Sequence, residues 1–500
     1  MKFAGASEGS RFEIQNRPGR EQPEWSASVA TPAFPPGRRA GGGASLLSTE
    51  GDASSPVLRL SRDVALRAGH VVNILFLNRV YPPAHGATGQ LLADLAAELT
   101  KLGWHVTVVT SVAAGATPCS QAIDGVRVER VGVPAFSHLS HLRRALSYLT
   151  LYPAFLWRAL RLPRADVVVT LTDPPLLLLL GPVLKWLKGS RLIHWAQDIY
   201  PELAEELGVL RRGGWFANFS RRLSTRALRQ HDRILVVGRC MKARLAQRGL
   251  EPTAMQVIPN WAPGGQIQPV EHSLNPFRGE HGLAGRFVVM YSGNFGLAHP
   301  FDAVLDAARR LEATRPEILF LLAGGGPRRP WVEQQVERLR LGNVRFLPVQ
   351  PLERLSQSLG AADVHLASMM ERLEGLVVPS KVYGILAAGR PCIFLGPRSS
   401  EVARIIEDHE CGSVLSPAEG ESLARCLSAW ASDRERWQRA GQRAAKAAKC
   451  FSLAAAVHAF DETLRQVCAA AEAPASAIHE NAEAATAGST RQPSPEGEAS

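Results

Sequence analysis

Nearly continuous apolar runs recur along the chain, each followed by a loop rich in Gly, Pro or charge and then by apolar residues at helical spacing. Val71–Leu77 has the nearly continuous apolar character of a strand buried on both faces, and further strands are read at His105–Thr110, Val126–Val131, Asp166–Thr170, Leu192–Trp195, Arg233–Val237 and Met255–Ile258. Between the first two, Leu91, Leu92, Leu95, Ala96 and Leu99 repeat as on one face of a helix over Gln90–Leu102, and Gly103 closes it. Strand, helix and parallel strand in succession predict βαβ units and a doubly wound α/β domain over residues 71–261. An irregular Gly- and Pro-bearing stretch, 262–285, reads as a linker, and the pattern then restarts. Phe287–Ser292, Ile318–Ala323, Val344–Leu347, Val364–Ala367 and Cys392–Leu395 predict a second open sheet within 262–450, with a helix starting at Pro300. The fold class this predicts is α/β: two Rossmann-like, doubly wound parallel-sheet domains facing a central cleft.

Composition changes the picture mainly at the ends. Of 500 residues, 46% are hydrophobic and 21% charged, enough for a large core. Residues 1–70 are dominated by Gly, Ser, Pro, Arg and Glu without apolar periodicity, and we expect a disordered extension there. The same is expected of the Ala-, Glu- and Pro-rich tail over 471–500. No charged and then apolar leader opens the chain, and the seven cysteines are scattered without a CxxC pair. Both features suit reduced thiols in a cytoplasmic protein. The net charge of +11 is spread along the chain rather than interleaved with aromatics, so no nucleic acid is expected as partner. A phosphate-bearing substrate or an anionic membrane surface uses that charge better. Two stretches, Leu149–Leu160 and Pro174–Leu187, combine leucines, aromatics and basic residues. They read either as core helices or as a surface that dips into the inner leaflet of the cell membrane, and both are too short to span it.

Candidate chemistry gathers in three places. In EGLVVPSKVYGILAAGRP, residues 374–391, Ser380 is placed to cap a short helix over Lys381–Ala388, Gly389 ends it and Pro391 blocks its continuation. The helix start attracts phosphate, and Lys381 adds a full charge there, with Glu371 and Glu374 just upstream. Glycine loops follow two strands of the second half: Gly293 and Asn294 after Ser292, and Gly324, Gly325 and Gly326 after Ala323. Three glycines in a row permit a backbone approach that side chains would block. In the first half, Gly86, Thr88 and Gly89 lie in the loop after the first strand. There the strand Leu192–Trp195 also delivers His194 at its end and Asp198 in the loop beyond. The alternative for the last two is an interior histidine and a helix cap.

The segments HWAQDIYPE, VIPNW, YSGNFG, LAGGGP, GAADVHLAS and VVPSKVYGILAAGRP follow one another between His194 and Pro391, within a folded part of about residues 71–464. In that order they resemble a glycosyltransferase of the GT-B fold, family four, in the colanic acid and exopolysaccharide group. The resemblance implies retaining transfer of a sugar from a nucleoside diphosphate to a polyprenyl-diphosphate-linked saccharide, without cofactor or metal, peripherally at the inner membrane face. It implies that Gly293, Asn294, Ser380 and Lys381 face the diphosphate and that Gly324, Gly325, Gly326 and the backbone at Leu347 lie near the nucleoside. Asp198 or His194 would serve the acceptor hydroxyl, beside a loop formed by Gly86, Thr88 and Gly89. Of the family's paired glutamates, the second position is Gly384 here, and Glu374 is the candidate for the first. A terminal helix over 451–470 is expected to cross back to the first domain. Two readings stay open beside the transferase: a nucleotide-sugar 2-epimerase of the same fold, and a catalytically silent subunit of an assembly complex.

Overall fold

The computed structural model describes residues 72–487 except 85, 113–116, 133–140 and 263–266, and gives the backbone alone over 141–149 and 471–487. The expected disordered stretch 1–70 and the tail beyond 487 lie outside the described residues.

The first half is an eight-stranded sheet built from β1 (Asn73–Leu77), β2 (His105–Ser111), β3 (Cys119–Ile123), β4 (Val126–Val131), β5 (Val167–Thr170), β6 (Arg191–Ala196), β7 (Arg233–Val236) and β8 (Met255–Val257). Its order is β3-β4-β2-β1-β5-β6-β7-β8, and only the β3–β4 pairing is antiparallel. The exposed polar β3 carries no apolar run, which is why the hydrophobic pattern does not reveal it. The second half is a six-stranded parallel sheet of β9 (Phe287–Ser292), β10 (Ile318–Ala323), β11 (Val344–Leu347), β12 (Val364–Ser368), β13 (Cys392–Leu395) and β14 (Gly412–Leu415). Its order is β11-β10-β9-β12-β13-β14.

The central strands are buried on both faces, as their unbroken apolar sequences require. Phe76 and Leu77 in β1 and Phe320 in β10 are fully excluded from water, each such side chain contributing roughly 1.5–3 kcal/mol. Three boundaries differ from expectation. Pro300 precedes the helix rather than opening it, because the helical turn is established only at Asp302–Glu312. Leu149–Leu160 belongs to a helix, His141–Arg161, that continues through Pro153 and buries Leu151, Phe155 and Ala159. The terminal helix runs Leu453–Ala487, well past 470, since an Ala- and Glu-rich sequence favours the helix it was expected to lack. Ala456, Val457, Phe460, Leu464 and Val467 of that helix join the core of the first sheet, where Phe460 meets Trp195 edge-on. Among the described residues, no helix is long and apolar enough to cross a membrane.

The halves are sewn together at the carboxyl ends of their sheets. Asp198 forms an antiparallel bridge with Val377, and the Ile199 N–H donates to the Leu376 carbonyl at 2.9 Å. Arg239 of the first half pairs with Glu401 at 3.0 Å and Asp408 at 2.8 Å in the second. A shared apolar cluster joins Ile199, Leu203 and Met241 to Leu376, Val382 and Tyr383.

Candidate active site

In the second sheet β9 lies between β10 and β12, so the direction of strand succession reverses there and a crevice opens at the carboxyl ends of β9 and β12. Lys381 projects into it. Its Nζ donates to the Tyr291 hydroxyl at 2.6 Å and lies 3.9 Å from the centre of the Tyr291 ring. The Tyr291 hydroxyl in turn donates to the Asn294 carbonyl at 2.7 Å, which ties the lysine to the loop after β9. Gly293 is at φ 143, and a side chain there would meet the lysine Cε at 3.5 Å. Among the described residues no carboxylate pairs with this ammonium, and burial pulls its pKa down to about 7. His299 Nδ1–H donates to the Ser368 carbonyl, and burial together with the Lys381 charge holds its pKa at about 3. A buried amine without a counter-ion binds an anion by recovering its charge.

Several residues near that crevice do something other than expected. Ser380 is itself in helical conformation and makes no side-chain cap, so the Lys381–Ala387 helix starts without one. Gly324 and Gly326 are required by the neighbouring loop. A Cβ on Gly324 would fall 1.9 Å from the Gly293 carbonyl oxygen, and one on Gly326 would fall 2.3 Å from the Asn294 side chain. Only Gly325 is loosely surrounded, its nearest neighbour being Val349 at 3.7 Å. The Leu347 carbonyl is already occupied by the Gly324 N–H at 3.1 Å and the Arg329 guanidinium at 2.9 Å. Glu374 is half-buried in the segment that packs on the first half, where the next residue, Gly375, lies too close to the Cys240 carbonyl to carry a Cβ. Gly384 is buried, and a side chain there would start against Leu359 at 3.4 Å and Ile267 at 3.7 Å, both apolar.

In the first sheet the reversal falls between β1 and β5. Arg79, after β1, grips Asp173, after β5, through two bonds of 2.7 and 2.8 Å. Asp198 follows β6 in the same group of loops. Burial, and next the Asp173 carboxylate, raise its pKa to about 7, so near neutrality it can both give and take a proton. His194 is placed differently from expectation. It sits within β6 rather than at its end, 3% exposed, with Nδ1 bonded to Thr170 Oγ1 at 3.0 Å and its ring edge-on to His231. Burial keeps it neutral, its pKa pulled down to about 3. With Asp198 and Arg248 it lines a cavity of about 20 Å³, room for about one water. Gly86 and Gly89 are explained by Val80, whose atoms lie 2.9 and 2.8 Å from where their Cβ atoms would stand, while Thr88 is half-buried in the first helical turn.

The bridge from Asp198 to Val377 joins the Asp198 loop to the segment that leads into Lys381 four residues later. Arg79, Asp173, Tyr291 and His299 escaped the sequence reading. Arg79, Asp173 and Tyr291 stand within three residues of a strand end, and His299 lies in the loop seven residues after β9, which is all the signal the sequence offers for them.

Residues 86–261 match the family model of the glycosyl transferase 4-like domain and residues 276–447 that of glycosyl transferases group 1. The chain is 28% identical over 346 residues to the probable glycosyltransferase WbjE of Pseudomonas aeruginosa, covering 68% of this chain and 85% of that protein. It is 26% identical over 226 residues to WcaI of Escherichia coli (strain K12), a putative colanic acid biosynthesis glycosyl transferase, covering 44% of this chain and 55% of WcaI. Among solved structures it resembles HepE of Anabaena in complex with UDP, with TM-score 0.60 and 17% identity, over 79% of this chain and all of HepE.

Proposed function

The chain belongs to the glycosyltransferases that join a glycosyl transferase 4-like domain to a group 1 domain in the GT-B fold, and from that premise we propose its donor, acceptor and stereochemistry. The donor is a nucleoside-diphosphate sugar whose diphosphate is held in the β9–β12 crevice. The acceptor is a polyprenyl-diphosphate-linked saccharide of a cell-surface polysaccharide, met at the inner face of the membrane. Transfer proceeds with retention and without a metal. The observation that carries this reading is Lys381: a half-buried lysine whose amino group rests on a phenol ring, with no carboxylate partner among the described residues, at the crevice where a parallel sheet reverses. The relatives' names support the biosynthetic setting, and HepE's bound UDP supports the donor class.

In the proposed step the bond from the anomeric carbon to the diphosphate oxygen breaks while the acceptor oxygen adds on the face being vacated. Charge accumulates on the departing diphosphate. Lys381, recharged by that anion, and the backbone of the Gly293 loop stabilise it, each such donor being worth about 3 to 4 kcal/mol. The acceptor's proton passes to the leaving phosphate, and Asp198 holds the acceptor hydroxyl in line from the opposite loop. Glu374 stands beside the junction as a candidate ribose contact, since Gly384 offers none.

The test is a product assay of the purified chain with nucleotide-sugar donors, with and without lipid extract. Acceptor-dependent sugar transfer that disappears in Lys381→Ala, with the fold intact, supports the reading. Donor conversion that needs no acceptor identifies an epimerase, and nucleotide binding without either reaction identifies a silent subunit.

A further inference from the structure

The two apolar-basic stretches seen in the sequence are mainly core: Leu151, Phe155, Leu177, Leu180 and Leu184 are buried, leaving Trp157, Trp186 and Leu187 exposed. The larger exposed apolar surface lies on the helix Trp215–Leu228, which the hydrophobic pattern passes over because arginines dilute it. This helix is inside out. Its inner face is made of the small residues Ala217, Ser220, Ser224 and Ala227, with Leu228 joining the core at the last position. Its outer face carries Trp215, Phe216, Phe219 and Leu223, exposed by 81, 48, 57 and 38%. Residues 215, 219, 222, 223 and 226 follow helical spacing, so Arg222 and Arg226 continue the same stripe, and Arg211 is exposed just before it.

Polar bonds on the inner side hold this orientation in place. Arg221 pairs with Glu202 at 3.0 Å and with Glu205, and Glu205 also accepts from the Gly213 N–H at 2.8 Å. Arg248 donates to Ser224 and Thr225 at 2.7 Å each. Glu202 and Glu205 lie on the short helix that directly follows the Asp198 loop. The exposed aromatic end of the stripe is therefore fastened to the chain segment that carries the acceptor-side aspartate.

We propose that the outer face of Trp215–Leu228 is an interfacial seat for an anionic lipid bilayer, and that it brings the lipid-linked acceptor to the Asp198 loop. Aromatic rings set at one end of an apolar stripe, flanked by arginines, match a surface whose headgroups are negative and whose interior is apolar. A second copy of the chain fits the same face poorly, because a two-fold contact would bring Arg211, Arg222 and Arg226 of both copies together on a helix that carries no carboxylate. The proposal rests on the lipid-linked acceptor read above and deepens it by naming where the carrier is met.

The full chain is tested by flotation with phosphatidylcholine vesicles, with and without phosphatidylglycerol, beside the double variant Trp215→Ser/Phe219→Ser. Wild type floats with the anionic vesicles and less so in high salt, and the variant's apparent affinity falls at least about tenfold while its Tm and UDP binding stay unchanged. An unchanged flotation of the variant overturns the proposal. So does a wild type that ignores anionic vesicles, including one that light scattering shows to be a dimer split by the same substitutions. Lys381→Ala floats as wild type does. If flotation follows the proposal while no transfer to lipid extract is found, the acceptor reading has failed and the seat stands.

Discussion

The charge state of Lys381 offers a quantitative test, because burial moves its titration toward the neutral range where binding can be followed. Burial lowers the free amine to about 7, while its neighbours do not titrate in the neutral to mildly basic range. His299 is held near 3, and burial pushes the Tyr291 phenol and the Cys392 thiol well above their ordinary values. A diphosphate bound at the ammonium raises the lysine pKa, so binding takes up a proton wherever the free amine is neutral. Half of the free protein is charged at pH 7, about one molecule in ten at pH 8 and about one in a hundred at pH 9. The nucleotide's own phosphate, with a second pKa of roughly 6, has finished titrating by then. The association constant for UDP therefore falls about tenfold per pH unit above 7, or about 1.4 kcal/mol per unit, until the bound lysine itself loses its proton. Titration calorimetry in buffers of different ionisation heat measures both the affinity and the proton uptake, which approaches one per UDP at pH 8. An affinity flat from pH 7 to 9 without proton uptake would refute the reasoning.

Further substitutions probe the remaining contacts. Tyr291→Phe keeps the ring under Lys381 but removes the 2.6 Å bond and the bond to the Asn294 carbonyl. Donor KM is expected to rise about fivefold, a net loss of about 1 kcal/mol with the hydroxyl's two bonds, with kcat less affected. Unchanged KM removes the tyrosine from the site. Asp198 ionises near pH 7, so transfer rises with pH below that value. In Asp198→Asn the rising limb vanishes and the rate drops about a hundredfold or more, and a variant with the wild-type pH–rate profile contradicts its role. Gly324→Ala places a Cβ 1.9 Å from the Gly293 carbonyl, at φ 132. A stability loss above about 2 kcal/mol is expected by thermal melting, and an unaltered Tm denies the loop contact.

The fold was readable because parallel strands buried on both faces announce themselves. Phe287–Ser292, Ile318–Ala323 and Cys392–Leu395 begin and end where their apolar runs do. The polar edge strand Cys119–Ile123 had no such signature, nor did the turned-out helix Trp215–Leu228, whose large residues face away from the core. In the site, Lys381 was legible from its place at a helix start, yet its partner Tyr291 looked like any strand residue. The spacing of glycines was legible and their purpose was not. Gly86, Gly89, Gly324 and Gly326 all yield to a neighbouring loop, a fact that depends on tertiary packing. His194 likewise became an interior group because Thr170, adjacent across the sheet, and His231 enclose it.

The central claim is that Lys381 receives the donor's diphosphate between β9 and β12, and a structure of the chain with UDP measures it directly. The account predicts a phosphate oxygen within about 3 Å of the lysine Nζ, against the Gly293 loop. A nucleotide seated elsewhere, with Nζ still bonded to the Tyr291 hydroxyl alone, would contradict it.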